Sequence, residues 1–185
     1  MQTHFAEREI PYTGAELRSG WLRGEFGLDG DAIAAFIGPC DVAPEHMVDL
    51  ADRAAGATIF SRRMLHFIVE HADPDLHRAT LRQRLLVAVA LECINQHSSA
   101  AEVCRDGDDL FHRRRKLSVS VATTSPTSGL IHLGLNVIAE GAPVPAADLT
   151  ELGVDPRSLA EHVMAAYAAE MASIDDARQK VRPVE

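Results

Sequence analysis

Two alternating segments separated by a turn-forming run constrain this chain more than any other feature. Lys116–Thr123 (KLSVSVAT) puts Lys116, Ser118 and Ser120 on one face of a strand and Leu117, Val119 and Val121 on the other. Leu130–Val137 (LIHLGLNV) puts His132, Gly134 and Asn136 on one face and Ile131, Leu133, Leu135 and Val137 on the other. Ser125-Pro126-Thr127-Ser128-Gly129 between them is turn chemistry, so the pair reads as a β-hairpin. A register with Ala122 opposite Leu130 sets Ser120 against His132, Ser118 against Gly134 and Lys116 against Asn136. All six then share one face. A solvent-facing strand usually carries several long charged residues, and this row has one lysine among small polar groups. That composition suits a carboxylate or phosphate pocket, with Gly134 letting a ligand approach the backbone. The plainer reading is a face that meets water.

Asp109–His112, followed by Arg113-Arg114-Arg115 as a turn, extends the hairpin into a meander. Upstream, strands are expected at His4–Tyr12, at Ala32–Ile37 (ended by Gly38-Pro39), after a turn within Asp41–Leu50, and at Met64–Glu70. A short helix is expected over Ala15–Arg23. Asp73 as N-cap with Pro74 at the first helical position opens a long helix. Its residues Leu81, Leu85, Leu86, Val89 and Leu91 are apolar on most sides, which implies burial all round. Asp155-Pro156 opens a last helix with a stripe of Val163, Tyr167 and Met171. The order gives an α+β fold, a mostly antiparallel sheet packed with helices. With 185 residues, a single domain spanning 1–185 is expected.

Composition narrows the partners. Eighteen Lys and Arg against 27 Asp and Glu give a formal charge of −9, which repels polyanions and disfavours bulk nucleic-acid binding. No apolar run is long enough to span a membrane, and the N-terminus has no apolar signal core. Cys40, Cys93 and Cys104 form no CxxC and cannot all pair, as in a reduced, cytoplasmic protein.

Other constellations read two ways. His66 and Glu70 share a strand face with Ile68 and could line a pocket. A metal there needs a third ligand that the sequence does not supply, so no metal is expected and a histidine hydrogen-bonded to a carboxylate is the plainer reading. Arg113–Arg115 is either a solvated tip or a phosphate or RNA contact. Arg82 points into a cleft or snorkels to the surface. Arg23 lies beside Trp21, whose commoner role is a core or rim anchor. No Gly-x-Ser-x-Gly elbow, P-loop or Rossmann fingerprint is present.

Several of these stretches resemble one family. They are Gly107-Asp108-Asp109-Leu110, Arg115–Thr123 with Ser125-Pro126, Ile131–Val137, Asp31–Phe36, His66–Glu70 and Leu152-Gly153-Val154-Asp155-Pro156. Over nearly the whole chain they look like the archaeal and bacterial family catalogued as domain of unknown function 366, for which no activity is established. A more distant resemblance is to the catalytic domain of biotin and lipoate protein ligases, related in fold to class II aminoacyl-tRNA synthetases. Those ligases carry Asn-Asp-Leu, a turn, Lys-Leu-Ser-Gly and a strand ending Gly-x-Asn-Val. Asp108-Asp109-Leu110, Lys116-Leu117-Ser118 and Gly134-Leu135-Asn136-Val137 match in order and spacing.

The resemblance implies roles. In the ligases the strand lysine contacts the acyl carboxylate and the phosphate of the acyl-adenylate. Lys116 takes that place here, with Asp109 positioning Lys116 or the ligand. Ser118, Ser120, His132, Gly134, Asn136, Arg23, His66 and Glu70 are the candidate substrate-binding residues. ATP is the implied cosubstrate. Two departures stand out: Val119 follows Lys-Leu-Ser where the ligases have Gly, and Arg18–Gly27 stands where they carry a Gly-Arg-rich loop. The leading expectation is an enzyme that binds a small carboxylate or nucleotide through an acyl-adenylate. The alternatives are a non-catalytic small-ligand or nucleotide-binding module and a tRNA-associated factor. A homodimer is the common default for such a chain.

Overall fold

A computed structural model describes residues 1–98 and 102–184. Eight strands and four helices occur among them, in the order β1 (Gln2–Phe5), α1 (Trp21–Phe26), β2 (Ala32–Val42), α2 (Leu50–Ala55), β3 (Ile59–His71), α3 (Leu76–His97), β4 (Val103–Asp106), β5 (Asp109–His112), β6 (Arg115–Lys116), β7 (Ser118–Thr124), β8 (Gly129–Ile138) and α4 (Pro156–Gln179). Five strands form the main sheet in the order β1-β2-β3-β8-β7, and β4-β5-β6 form a small second sheet. In the main sheet β1 pairs parallel with β2, and β2–β3, β3–β8 and β7–β8 are antiparallel. The α+β class and the dominance of antiparallel pairing agree with the sequence.

The two faces of the main sheet bury different partners. Ile33, Leu65, Phe67, Leu133 and Leu135 pack under α3 and α4 with Leu86, Ile94, Leu159 and Tyr167. On the opposite face Ala34, Phe36, Met64 and Ile68 pack with Ile10, Tyr12, Trp21 and Leu22 from the N-terminal segment and α1. Strand alternation assigns each residue to one layer or the other. Trp21 is a core anchor, its ring 5.7 Å from Phe36.

The last helix follows its sequence signals. The Asp155 side chain accepts from the Ser158 N–H at 2.8 Å, and Pro156 occupies the first turn. Helix α3 starts later than Asp73-Pro74 suggests. Asp75 is the cap, accepting from Arg78 N–H, while Asp73 pairs with Arg78 and Arg82. Two cationic partners draw Asp73 away from the backbone. Nor is α3 buried all round: Leu81 is exposed while Ala79, Leu86, Ala90 and Ile94 form the inner stripe.

Four other elements differ from expectation. Strand β2 runs through Gly38-Pro39 with a bulge between Gly38 and Cys40. Gly is required there, because a side chain would collide with the Ile10 carbonyl of the crossing segment. No separate strand lies within Asp41–Leu50: Asp41 and Val42 end β2, a single 3-10 turn spans Pro44–His46, and a helix, α2, follows over Leu50–Ala55, capped by Asp49. The first strand is Gln2–Phe5, with Tyr12 making only an isolated bridge to Cys40. The early helix is Trp21–Phe26 and follows Ala15–Gly20.

The hairpin carries the main correction. Val119 pairs with Gly134 and Val121 with His132, so the register is one residue from the expected one. A one-residue slip turns every side chain of a strand to the other face. Ser118 and Ser120 therefore point toward α3, and Val119 and Val121 share the face of His132, Gly134 and Asn136. The cause is the turn. Thr123 and Thr124 stay in the strand, and the loop closes over 125–128, with Ser125 N–H donating to the Ser128 carbonyl at 2.8 Å. The meander also breaks at Leu117, whose N–H donates to the Leu110 carbonyl at 2.8 Å, and β6 leaves for the small sheet.

Candidate functional site

A cleft of about 400 Å3 opens on the sheet face away from α3 and α4, at the end where β7 and β8 meet the small sheet. Met64, Val119, Val121, Tyr12 and His132 form its inner, mostly apolar part. Asp108, Asp109 and Lys116 form its polar end, and Phe60 and Val144 stand at the rim.

The polar end is built by the turn between β4 and β5 and by the break after β6. Lys116 Nζ lies 2.9 Å from Asp109 Oδ2. Both side chains are about one-third exposed, at 34% and 28%. Burial raises the Asp109 carboxyl above its ordinary range, while the Lys116 hydrogen bond and charge pull it down. Asp108 beside it accepts from Arg84 at 2.8 Å and from the Gln83 amide at 3.0 Å. Gln83 also donates to Ser120 Oγ at 2.6 Å. Ser118 Oγ accepts from Leu110 N–H at 2.8 Å. Asn136 donates its amide to the carbonyls of Ala147 (3.2 Å) and Lys116 (3.4 Å). Asn136 thus fixes the backbone that carries Lys116 rather than meeting its ammonium.

Four rings in two stacked pairs make and back the inner part. Tyr12 lies flat on His132, with centroids 3.9 Å apart and planes 6° apart. Phe36 stacks on His66 at 4.9 Å. His66 Nδ1 lies 3.1 Å from His132 Nε2, and His66 Nε2 lies 3.3 Å from the Gly38 carbonyl oxygen. Both imidazoles are buried, at 0% and 3% exposure. Desolvation pushes His66 down to about 3 and His132 well below its ordinary value, so both are neutral at pH 7.

The sequence-derived residues divide. Lys116, Asp109, Ser118, Ser120, His132 and Asn136 all border the cleft, but the hydroxyls of Ser118 and Ser120 turn the other way, to Leu110 N–H and to Gln83 of α3. Gly134 is covered: a side chain there would strike Met64 Sδ, so its bareness admits Met64 rather than a ligand. His66 sits behind His132. Glu70 does not meet His66; it accepts from Ser19 Oγ, Gly20 N–H and Ser128 Oγ at 2.7–3.1 Å and ties two loops together. A carboxylate instead meets His71, whose Nδ1 lies 3.0 Å from Asp31. Arg23 is an exposed side chain paired with Asp29, and it lies outside the cleft lining. Arg113 and Arg114, at φ of 47° and 64°, make the exposed β5–β6 turn, whereas Arg115 is paired with Glu151 in a bidentate contact at 2.7 and 2.8 Å.

Tyr12, Met64 and Gln83 were not singled out by the sequence. Each lies far along the chain from the meander and carries no local motif. Asp108 was visible only as part of the Asp108-Asp109-Leu110 match. Among the described residues, no group of three or more His, Cys, Asp or Glu is arranged to hold a metal. No helix among them is long and apolar enough to cross a membrane.

Comparison with known proteins places this geometry. An uncharacterised protein of Methanocaldococcus jannaschii is 36% identical over 191 residues, covering 100% of this chain and 86% of that one. A solved protein of unknown function from Pyrococcus horikoshi is 38% identical, with a TM-score of 0.95 over 100% of this chain and 99% of its own. A biotin protein ligase from Aquifex aeolicus, solved with biotin and ATP, has a TM-score of 0.62 at 12% identity, over 95% of this chain and 72% of its own. The last likeness is one of fold, the fold of biotin and lipoate protein ligase catalytic domains. The family model described as domain of unknown function (DUF366) matches residues 1–182, and the chain belongs to that family.

Proposed function

We propose that this chain is an enzyme that binds a small carboxylate in the cleft and activates it with ATP as an acyl-adenylate. The observation that carries the reading is the Lys116–Asp109 pair at the polar end of an otherwise apolar cleft. A half-buried ammonium offers a fixed cation to a carboxylate, and the apolar part takes the remainder of the acid. The fold likeness to a ligase solved with biotin and ATP supports the same assignment.

In this reaction a carboxylate oxygen attacks the α-phosphorus, the bond to the bridging oxygen breaks, and pyrophosphate leaves. Lys116 offsets negative charge on the transferring phosphoryl group, where a preorganised cation is worth most. Asp109 holds the ammonium in place. Asn136 fixes the backbone beneath it through the Lys116 carbonyl.

A thermal-shift panel of ATP, AMP, biotin, lipoate and octanoate, followed by pyrophosphate exchange, tests the reading. A stabilisation by one acid that grows with ATP, and that Lys116→Ala removes, is the expected result. Equal affinity and turnover in Lys116→Ala would sink it.

One observation favours a second reading, a binding module without the chemistry. Val119 and Met64 together cover Gly134, so the strand backbone is closed to a ligand there. Ligand binding without pyrophosphate exchange would select that reading.

A further inference from the structure

The inner end of the cleft carries two polar atoms that the fold leaves unused. The Gly38 carbonyl can only accept, so its partner, His66 Nε2, carries the hydrogen. Both histidines are neutral, so His66 Nδ1 is a lone pair, and the hydrogen between the rings belongs to His132 Nε2. His132 Nδ1 is therefore an acceptor. Among the described residues no group donates to it, and none pairs with the Tyr12 hydroxyl. Neither atom is among the fully buried side-chain atoms of the described residues that lack a hydrogen bond, so each is open to the cavity. Both residues line the cleft. Burial also raises the Tyr12 hydroxyl well above its ordinary pKa, which keeps its proton on.

Two stacked rings thus present a donor and an acceptor to the same cavity, at the opposite end from Lys116. We propose that Tyr12 and His132 form a specificity site that reads a neutral amide- or urea-type edge, with a ligand N–H donating to His132 Nδ1 and a ligand carbonyl accepting from the Tyr12 hydroxyl. The His66–Gly38 pair acts behind it as a tautomer lock, because moving the hydrogen to His132 Nδ1 breaks one buried hydrogen bond, either the one to His66 or, if His66 changes tautomer as well, the one to Gly38. An anion is rejected here, since a carboxylate would meet the His132 lone pair and has no cation beside it. The ligand is thereby oriented, with the edge inside and the acid at Lys116. This orientation rests on the proposed carboxylate site, but the edge site does not.

The test uses the full chain labelled with 15N-histidine, with His66 and His132 assigned through His66→Gln and His132→Gln. Expected spectra at pH 7 show both rings neutral with the hydrogen on Nε2. Imidazolidin-2-one, a cyclic urea with no carboxylate, is then added at tens of millimolar. It should move the His132 Nδ1 resonance toward that of a hydrogen-bonded nitrogen. Tyr12→Phe should weaken its binding about fivefold, the size of one neutral hydrogen bond. Octanoate, which has no such edge, should be weakened less by Tyr12→Phe than the cyclic urea is; an equal loss for both would overturn the edge site. A hydrogen on His132 Nδ1, or an Nδ1 resonance unmoved by the cyclic urea, overturns the proposal even if Tyr12→Phe does not fold. Lys116→Ala separates the two ends. A cyclic-urea response that persists while octanoate binding is lost supports both sites. A response that persists with octanoate binding unchanged supports the edge site and rejects the carboxylate site.

Discussion

The Ser118 hydroxyl accepts the backbone N–H of Leu110 at 2.8 Å, and both residues are fully buried. This bond joins β7 to β5 where the meander passes between two sheets. Ser118→Ala leaves that N–H buried without an acceptor, a loss of about 1–3 kcal/mol. Urea unfolding should show the loss, with the affinity of any cleft ligand unchanged. A stability equal to wild type would mean that water replaces the hydroxyl.

Gly134→Ala should destabilise the fold by about 1–3 kcal/mol through overpacking. The added methyl meets Met64 Sδ and lies 3.2 Å from Val119 Cγ2. Trimming the neighbour should relieve the clash, so Met64→Ala in the Gly134→Ala background should cost less than Met64→Ala alone. Strict additivity in that double-mutant cycle would refute the packing account.

Asp31 accepts from Ala72 N–H at 2.8 Å and lies 3.0 Å from His71 Nδ1, and the other His71 nitrogen lies 3.0 Å from the Tyr167 hydroxyl. The His71 hydrogen bond is the main cause holding the Asp31 carboxyl at about 2, against an ordinary 3.8. A depressed carboxyl stabilises the fold above its unfolded pKa, and that contribution disappears as pH falls through the folded one. The carboxylate is 47% exposed, so screening by water reduces the effect to about 1 kcal/mol. The stability difference between wild type and Asp31→Asn should therefore be constant above pH ~4 and shrink toward pH ~2. A difference that does not vary with pH would reject this assignment.

Lys116→Met removes the cation that opposes the effect of burial on Asp109. The Asp109 carboxyl, already raised, should rise further. Carboxyl 13C titration reads this directly. An unchanged Asp109 midpoint would mean that the pair is broken by water in solution.

Much of the fold was legible because its signals are local. Asp155-Pro156 caps a helix wherever it lies, and the alternation of β8 admits only a strand. Strand β5 was found at its full bounds. The early segments were less legible. Gly38-Pro39 reads as a strand end, yet the backbone continues through a bulge because the chain near Ile10 crosses it closely. The polar end of the site was readable through the Lys116 and Asp109 motifs. Its inner end was readable only in part: His132 and His66 were candidates, but Tyr12 and Met64 carry no local motif and join them only in the folded chain.

The sequence by itself determined that a hairpin lies within 116–137, that Lys116 and Asp109 stand close together at its start, and that helices cover a mostly antiparallel sheet. It left open which face of β7 joins which face of β8. A period of two has the same appearance in either register, and Ser118 and Ser120 satisfy polar partners as well on one side as on the other. The tertiary structure decided it. Gln83 and the Leu110 N–H wait beneath the serines on the α3 side. On the other side, the space over Gly134 is taken by Met64 and Val119. The same packing sent Glu70 to the Ser19–Gly20 loop and His66 to His132, because a side chain's partners are set by what the folded chain brings to its face.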